Sequence, residues 1–226
     1  MKRMLYAIMG LLTFASCQQY ELPEQEECVL ELDITCAYVP VVATRAIDAD
    51  LAVTILDATG KVYKRVAAGK VSNEIPMRAG TFTLCVHTDN LDTWPAANGG
   101  LGEACYYASA EVTMQRGERG YLSMSVPMIN YAVGLELPEL FNELFTSHRL
   151  TLKSGSREVV IREGEKAYFD VEDGGFAHAL SVVNLDGATH AYAPKSFGDV
   201  LSGKYYLLTY SYGYNEMPAK VKVCDY

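Results

Sequence analysis

The chain has one tryptophan among 226 residues, few charged side chains (21%), and fewer bases than acids, 19 against 28, for a formal net charge of −9 at pH 7. Each shortage removes a class of function. A basic stripe able to meet phosphates is missing, so no nucleic-acid partner is expected. The 18 glycines and 8 prolines follow no strict period and no heptads run through the chain, which excludes collagen-like and coiled-coil builds. Beyond the N-terminus no apolar run approaches the roughly 20 residues of a membrane-spanning helix. There is no H-E-x-x-H and no G-x-S-x-G. Ser154-Gly155-Ser156 reads as a hairpin turn, and Asn98-Gly99-Gly100-Leu101-Gly102 lacks the Lys-Ser/Thr of a phosphate loop. What remains is plentiful: half of the residues are hydrophobic and 11% aromatic, enough for a folded core.

Residues 1–16 read as an export signal. Lys2 and Arg3 form its positive start, Met4 to Phe14 a short apolar run, and Ala15-Ser16 a small-residue lead into Cys17. Phe14-Ala15-Ser16-Cys17 resembles a bacterial lipobox, departing from it in Phe14 where leucine is usual. That resemblance implies cleavage before Cys17, lipidation of its sulfur, and a protein anchored to a membrane rather than spanning it. Losing Lys2 and Arg3 leaves 17 basic side chains against 28 acidic ones, a net of −11. Residues 17–27, with Glu21, Glu24, Glu26, Glu27 and Pro23, suit a solvated acidic tether. Acidic residues after the lipidated cysteine resemble the surface-export signals of Bacteroidota lipoproteins. The expected location is the outer membrane, facing the cell exterior.

From Glu27 onward the dominant period is two. Leu30, Leu32 and Ile34 alternate with Val29, Glu31 and Asp33, and strand-like runs recur about every ten residues. Asp57-Ala58-Thr59-Gly60 has the chemistry of a tight hairpin turn. Pro138 to Phe145 reads as a short helix with Leu140, Phe141, Leu144 and Phe145 on one stripe. A weak internal echo pairs residues 77–84 with 200–207. The expected fold is all-β: two tandem antiparallel β-sandwich domains, transthyretin-like or Ig-like, over residues 28–127 and 128–226, with one short helix opening the second.

Several segments carry a wider resemblance. Ala43-Thr44-Arg45-Ala46 precedes the Leu51-Ala52-Val53-Thr54-Ile55 strand and the Asp57…Gly60 turn. Ile75-Pro76-Met77-Arg78-Ala79-Gly80-Thr81-Phe82-Thr83-Leu84 and Leu135-Glu136-Leu137-Pro138-Glu139-Leu140-Phe141 follow. Together they resemble the fimbrillin-like, two-sandwich surface lipoproteins of Bacteroidota, which include pilus anchor and accessory subunits. The resemblance implies surface display, fimbrial subunits as partners, strand complementation as the mode of assembly, and Arg45 as a candidate processing site. It carries over no catalytic residue.

Chemistry-bearing residues are sparse. His87, His148, His178 and His190 show no metal-ligand spacing and read as structural or surface histidines; no metal and no cofactor are expected. The acidic turn at 170–175 lacks the ligand spacing of a calcium loop. Trp94 lies in a loop beside Asp92 and Asn98, the ingredients of a glycan platform, although such an indole also serves to cap a core. Tyr206, Tyr210, Tyr212 and Tyr214 share one parity, as a packed row or as a recognition surface. Cys28 and Cys36, eight residues apart on one strand, would be about 26 Å apart at roughly 3.3 Å per residue and cannot bridge. Cys85 and Cys105 are the candidate disulfide. The expected role is non-catalytic: fimbrial assembly, anchoring or adhesion, with surface glycan binding as the alternative and hydrolysis by an acidic pair a distant third.

Overall fold

The computed structural model describes residues 28–36, 51–212 and 217–226. The signal, the tether, Cys17, Arg45 and Tyr214 lie outside the described residues, as does the side chain of Cys36. The first half contains β1 (Cys28–Cys36), β2 (Leu51–Asp57), β3 (Val62–Val66), β4 (Glu74–Met77), β5 (Gly80–Thr88), β6 (Tyr107–Met114) and β7 (Arg119–Val126). They form one sheet of order β4-β1-β7 and a second of order β3-β2-β5-β6. The alternation seen in the sequence is the reason. Leu30 and Leu32 of β1 and Phe82, Leu84 and Val86 of β5 point inward and are buried, while their neighbours face outward.

The second half repeats the plan with β8 (Tyr131–Glu136), β9 (Phe145–Ser154), β10 (Arg157–Ile161), β11 (Lys166–Phe169), β12 (Gly175–Asn184), β13 (Thr189–Ala191), β14 (Lys195–Gly198), β15 (Lys204–Tyr210) and β16 (Ala219–Asp225). Its sheets have the order β11-β8-β15-β16 and β10-β9-β12-β13, with β14 also on β12. Antiparallel pairs dominate. Each sandwich also contains one parallel pair, β1 with β7 and β8 with β15. Such a pair needs a long crossover, and here the intervening sheet supplies it.

The common topology corrects the internal echo. Strand β5 at 80–88 corresponds to β12, and the counterpart of β15 is β7, because both run parallel to the first strand of their half. The echo of 77–84 with 200–207 matched strands of different sheets. It also missed the facing by one residue, since Phe82 and Leu84 point inward whereas Tyr206 and Leu208, not Tyr205 and Leu207, do so in β15.

The second core is aromatic, and its polar tips are satisfied. Tyr131 is fully buried; its hydroxyl lies 3.0 Å from Ser154 Oγ and donates to the Gly175 carbonyl at 3.2 Å. Burial pushes its pKa up to about 12. Tyr206 accepts from the Leu201 amide at 2.7 Å. Of the tyrosine row, Tyr206 and Tyr210 are thus core residues. Tyr212 lies past the end of β15, exposed, with its hydroxyl donating to the Glu139 carbonyl.

Strand β8 is buried on both faces. Tyr131, Val133 and Leu135 enter the second core, whereas Ala132 joins the first, together with Tyr168 of β11. The outer face of this sheet is therefore where the sandwiches meet. Gly134 lies within that face because a Cβ there would sit 2.1 Å from the Tyr205 hydroxyl.

One expectation is trimmed and another fails, each for a local reason. The helix of 138–145 shrinks to one helical turn (Phe141–Leu144), preceded by a turn in which Leu140 is left-handed (φ 63°), and Phe145 already belongs to β9. The stripe therefore never forms: Phe141 is buried, but Leu140 and Leu144 are 63% and 48% exposed. The Cys85–Cys105 disulfide is also absent, and both residues are free thiols, as are Cys28 and Cys224. Cys85 faces Ser109 across the β5–β6 ladder, leaving Cys105 four residues further along, about 13 Å at roughly 3.3 Å per residue.

Candidate functional site

The stretch between β5 and β6 is too rich in glycine and side-chain amides to continue either strand. It folds instead as a 3-10 turn (Trp94–Ala96) running into a short helix (Ala97–Gly100), in which Asn98 and Gly99 are left-handed. The Asn90 carbonyl starts the turn by accepting from the Thr93 and Trp94 amides at 3.0 and 2.7 Å. The far end docks on the second sandwich, where the Tyr168 amide donates to the Leu101 carbonyl at 2.8 Å.

Arg157 of β10 closes this contact. Its guanidinium donates to the carbonyls of Gly100 and Tyr168 and stacks between two rings, 5.4 Å from the centroid of Trp94 and 5.3 Å from that of Phe169. Burial pushes its pKa down, opposed by Asp173. Gly102 is required beneath it: φ is +85°, and a Cβ would lie 3.2 Å from Arg157 Nη2, the Trp94 carbonyl oxygen and Tyr168 Cβ. Asn130, 2% exposed, ties the same junction. Its side chain accepts from the Cys105 amide at 3.0 Å and donates to the Glu103 carbonyl at 2.8 Å, and its own carbonyl accepts from Gly203.

The candidate glycan residues are therefore not a free platform. Trp94 is half-buried against the first core and covered by Arg157. Asn98 directs its amide to the Gly102 carbonyl at 3.0 Å, and Asp92 is exposed on the same loop. Of the histidines, His87 bonds Thr54 and the Thr88 carbonyl, and His148 packs edge-on against Phe141. His178 is buried and His190 lies against Tyr192. Among the described residues no group of three or more His, Cys, Asp or Glu could hold a metal ion, and no helix is long and apolar enough to cross a membrane. Asp170 of the acidic turn caps its own backbone, accepting from the Glu172 amide at 3.0 Å.

A second arrangement concerns the sheet edges. In the second half β15 is flanked on both sides, by β8 and by β16. In the first half its counterpart β7 pairs with β1 alone among the described residues. The Val29 amide donates to the Glu118 carbonyl at 3.0 Å, which sets the parallel ladder. The amides of Gly120, Leu122, Met124 and Val126 then point to β1, and those of Tyr121, Ser123 and Ser125 point to the open side. Beside β1 the solvent face carries Glu31 and Glu74 bridged by Arg119, the latter contact at 2.8 Å. The signal for this asymmetry was missed in the sequence, where β7 and β15 read alike as strands.

Residues 26–222 match the profile of a family described as a domain of unknown function, DUF4493. The chain belongs to the DUF4493 family. No curated protein matches it. Among solved structures, this DUF4493 chain is similar to a candidate cell adhesion protein of Bacteroides eggerthii, with 10% identity, 90% of this chain and 97% of the other covered, and a TM-score of 0.58. It is similar to a candidate polysaccharide-binding protein (DUF1812) of Bacteroides thetaiotaomicron at 10% identity, 88% and 98% coverage, and a TM-score of 0.52. The fimbrial anchor protein Mfa2 of Porphyromonas gingivalis lies farther off, at 10% identity, 88% and 98% coverage, and a TM-score of 0.44. At such identities the shared property is the fold alone, a tandem pair of β-sandwiches.

Proposed function

We propose that this DUF4493 chain is a non-catalytic adhesion protein of the cell surface, held to the outer membrane by lipid on Cys17, that joins a fimbrial assembly. Its two domains would divide near residues 127 and 128. The observation that carries this reading is the edge of β7, which among the described residues has no second neighbour, at the position that β16 fills in the second sandwich. An extended segment of a fimbrial subunit adding there would gain a ladder of backbone hydrogen bonds, the usual currency of strand addition. The adhesion descriptions of proteins sharing the fold support the same reading.

Strand β1 lies between Cys17 and Arg45, so it is the element that ties the anchor to the folded part. Cleavage after Arg45 would leave β1 held only by β4 and β7, and an attached protein is expected to keep that loop intact. The test is Ser123→Pro, which removes one outward amide without touching the β1 ladder. Full-length anchored protein should lose a cross-linked fimbrial subunit, identified by mass spectrometry, while its thermal unfolding changes little. Undiminished cross-linking rejects the strand-addition reading. Glycan binding stands as a second reading, favoured by a cavity in the second sandwich and by the polysaccharide-binding description of one protein of the same fold.

A further inference from the structure

Strand β12 carries a histidine where its counterpart carries a leucine. Across the first sandwich Ile55 faces Leu84 and Val53 faces Val86, all four buried. In the second, Leu150 faces Leu180, but Leu152 faces His178, which is 5% exposed. Placing an imidazole in an apolar layer costs free energy unless its nitrogens are used. One is: His178 Nδ1 lies 2.8 Å from the Tyr210 hydroxyl. The other, Nε2, is left for whatever enters beside it.

There is room beside it. The edge of β5 is covered without a break by β6, from Gly80 to His87. The same edge of β12 is shared by two short strands, β14 at Gly175–His178 and β13 at Ser181–Val183. Between them Tyr192-Ala193-Pro194 steps outward, held by the Tyr192 amide donating to the Leu180 carbonyl at 2.9 Å. The step opens a cavity of about 270 Å³ reaching down to His178 and Tyr210, with Leu180 and Met217 as its apolar part and His190, Tyr192 and Lys195 also lining it. Among the described residues none that lines it is acidic, although the chain has 28 Asp and Glu. The lining instead holds Lys195 and two imidazoles.

We infer that this cavity binds one carboxylate-bearing sugar ring, a hexuronate-type residue of an acidic glycan. The volume is below the range of pockets for drug-sized ligands, roughly 300–1,000 Å³, and suits a single ring. The Tyr192 ring offers a face for stacking, His178 and Tyr210 offer polar groups for ring hydroxyls, and the Lys195 ammonium offers the charge for the carboxylate. This inference rests on the glycan-binding reading and is independent of strand addition at β7.

The probes are D-galacturonate and D-galactose, which differ by the carboxylate, titrated into the full chain and followed by calorimetry and saturation-transfer NMR. Galacturonate should bind saturably and roughly tenfold or more tighter than galactose, in keeping with a hydrogen bond to a charged group. Lys195→Met should remove that preference. His178→Leu, which restores the residue of the first core, should still fold and unfold in a single cooperative transition and should abolish binding of both sugars. Galactose binding as well as galacturonate would overturn the acidic class while leaving glycan binding in place. Binding of neither at tens of millimolar would overturn both. Undiminished binding by the His178→Leu protein would move the site elsewhere and overturn the assignment.

Discussion

The guanidinium of Arg157, in the second sandwich, stacks over the indole of Trp94, in the first, 5.4 Å from its centroid. Because Trp94 is the chain's sole tryptophan, this contact between the two halves has a built-in reporter. Arg157→Ala would also strip the Gly100 and Tyr168 carbonyls of their donor. The expected loss is about 1–3 kcal/mol of stability with a red shift of the tryptophan emission in the folded protein. Denaturant unfolding followed by fluorescence checks both. An unshifted spectrum would show that the indole does not depend on Arg157 for its cover.

Gly102 sits under the same contact with φ at +85° and three atoms 3.2 Å from where a Cβ would be. Gly102→Ala is expected to cost about 1–3 kcal/mol, from left-handed strain together with displacement of Arg157. Gly99, also left-handed (φ +69°) but with open space around it, should lose less on the same change. Parallel thermal melts distinguish the two, and equal losses would contradict the crowding argument.

Burial, aided by the charge of Lys195, lowers the pKa of His178 from 6.5 to about 4. On acidification the unfolded chain takes up this proton first, so the folded state loses ground. The contribution is fully present above pH 6.5 and disappears as pH falls toward 4, with a slope of up to about 1.4 kcal/mol per pH unit. Stability measured across that window should fall less steeply for His178→Leu than for the natural protein. Identical slopes would mean that the histidine is not sheltered.

Alkylation in denaturant without reductant should modify Cys28, Cys85, Cys105 and Cys224 in full, as four free thiols. Under native conditions the half-buried Cys85 and Cys224 should react before Cys28 and Cys105, which are sealed in the core, and burial also raises the pKa of Cys105. Peptide mapping of the label reads both. A Cys85–Cys105 peptide resistant to label without reductant would restore the disulfide.

Much of the architecture is legible locally. Leu30, Leu32 and Phe82, Leu84, Val86 announce buried faces by their spacing alone, because a strand sends alternate side chains to opposite sides. The Asp57 turn is readable for the same reason: its carboxylate bonds the Thr59 and Lys61 amides only two and four residues away. Leu140 was misread because a helical stripe is a pattern of hydrophobicity, whereas its left-handed backbone is set by the short connection between β8 and β9.

By itself the chain's alternation determined an all-β sandwich build, and its composition an acid-rich protein with no basic stripe. Only the tertiary structure decided what surrounds Trp94 and His178. Trp94 looked like a platform in a loop until Arg157, 63 residues later, covered it. His178 looked like an ordinary strand residue until Tyr210 and Lys195 gathered beside it. These surroundings are set by which strands lie side by side, and pairings across 17 to 63 residues leave no trace in the spacing of neighbours.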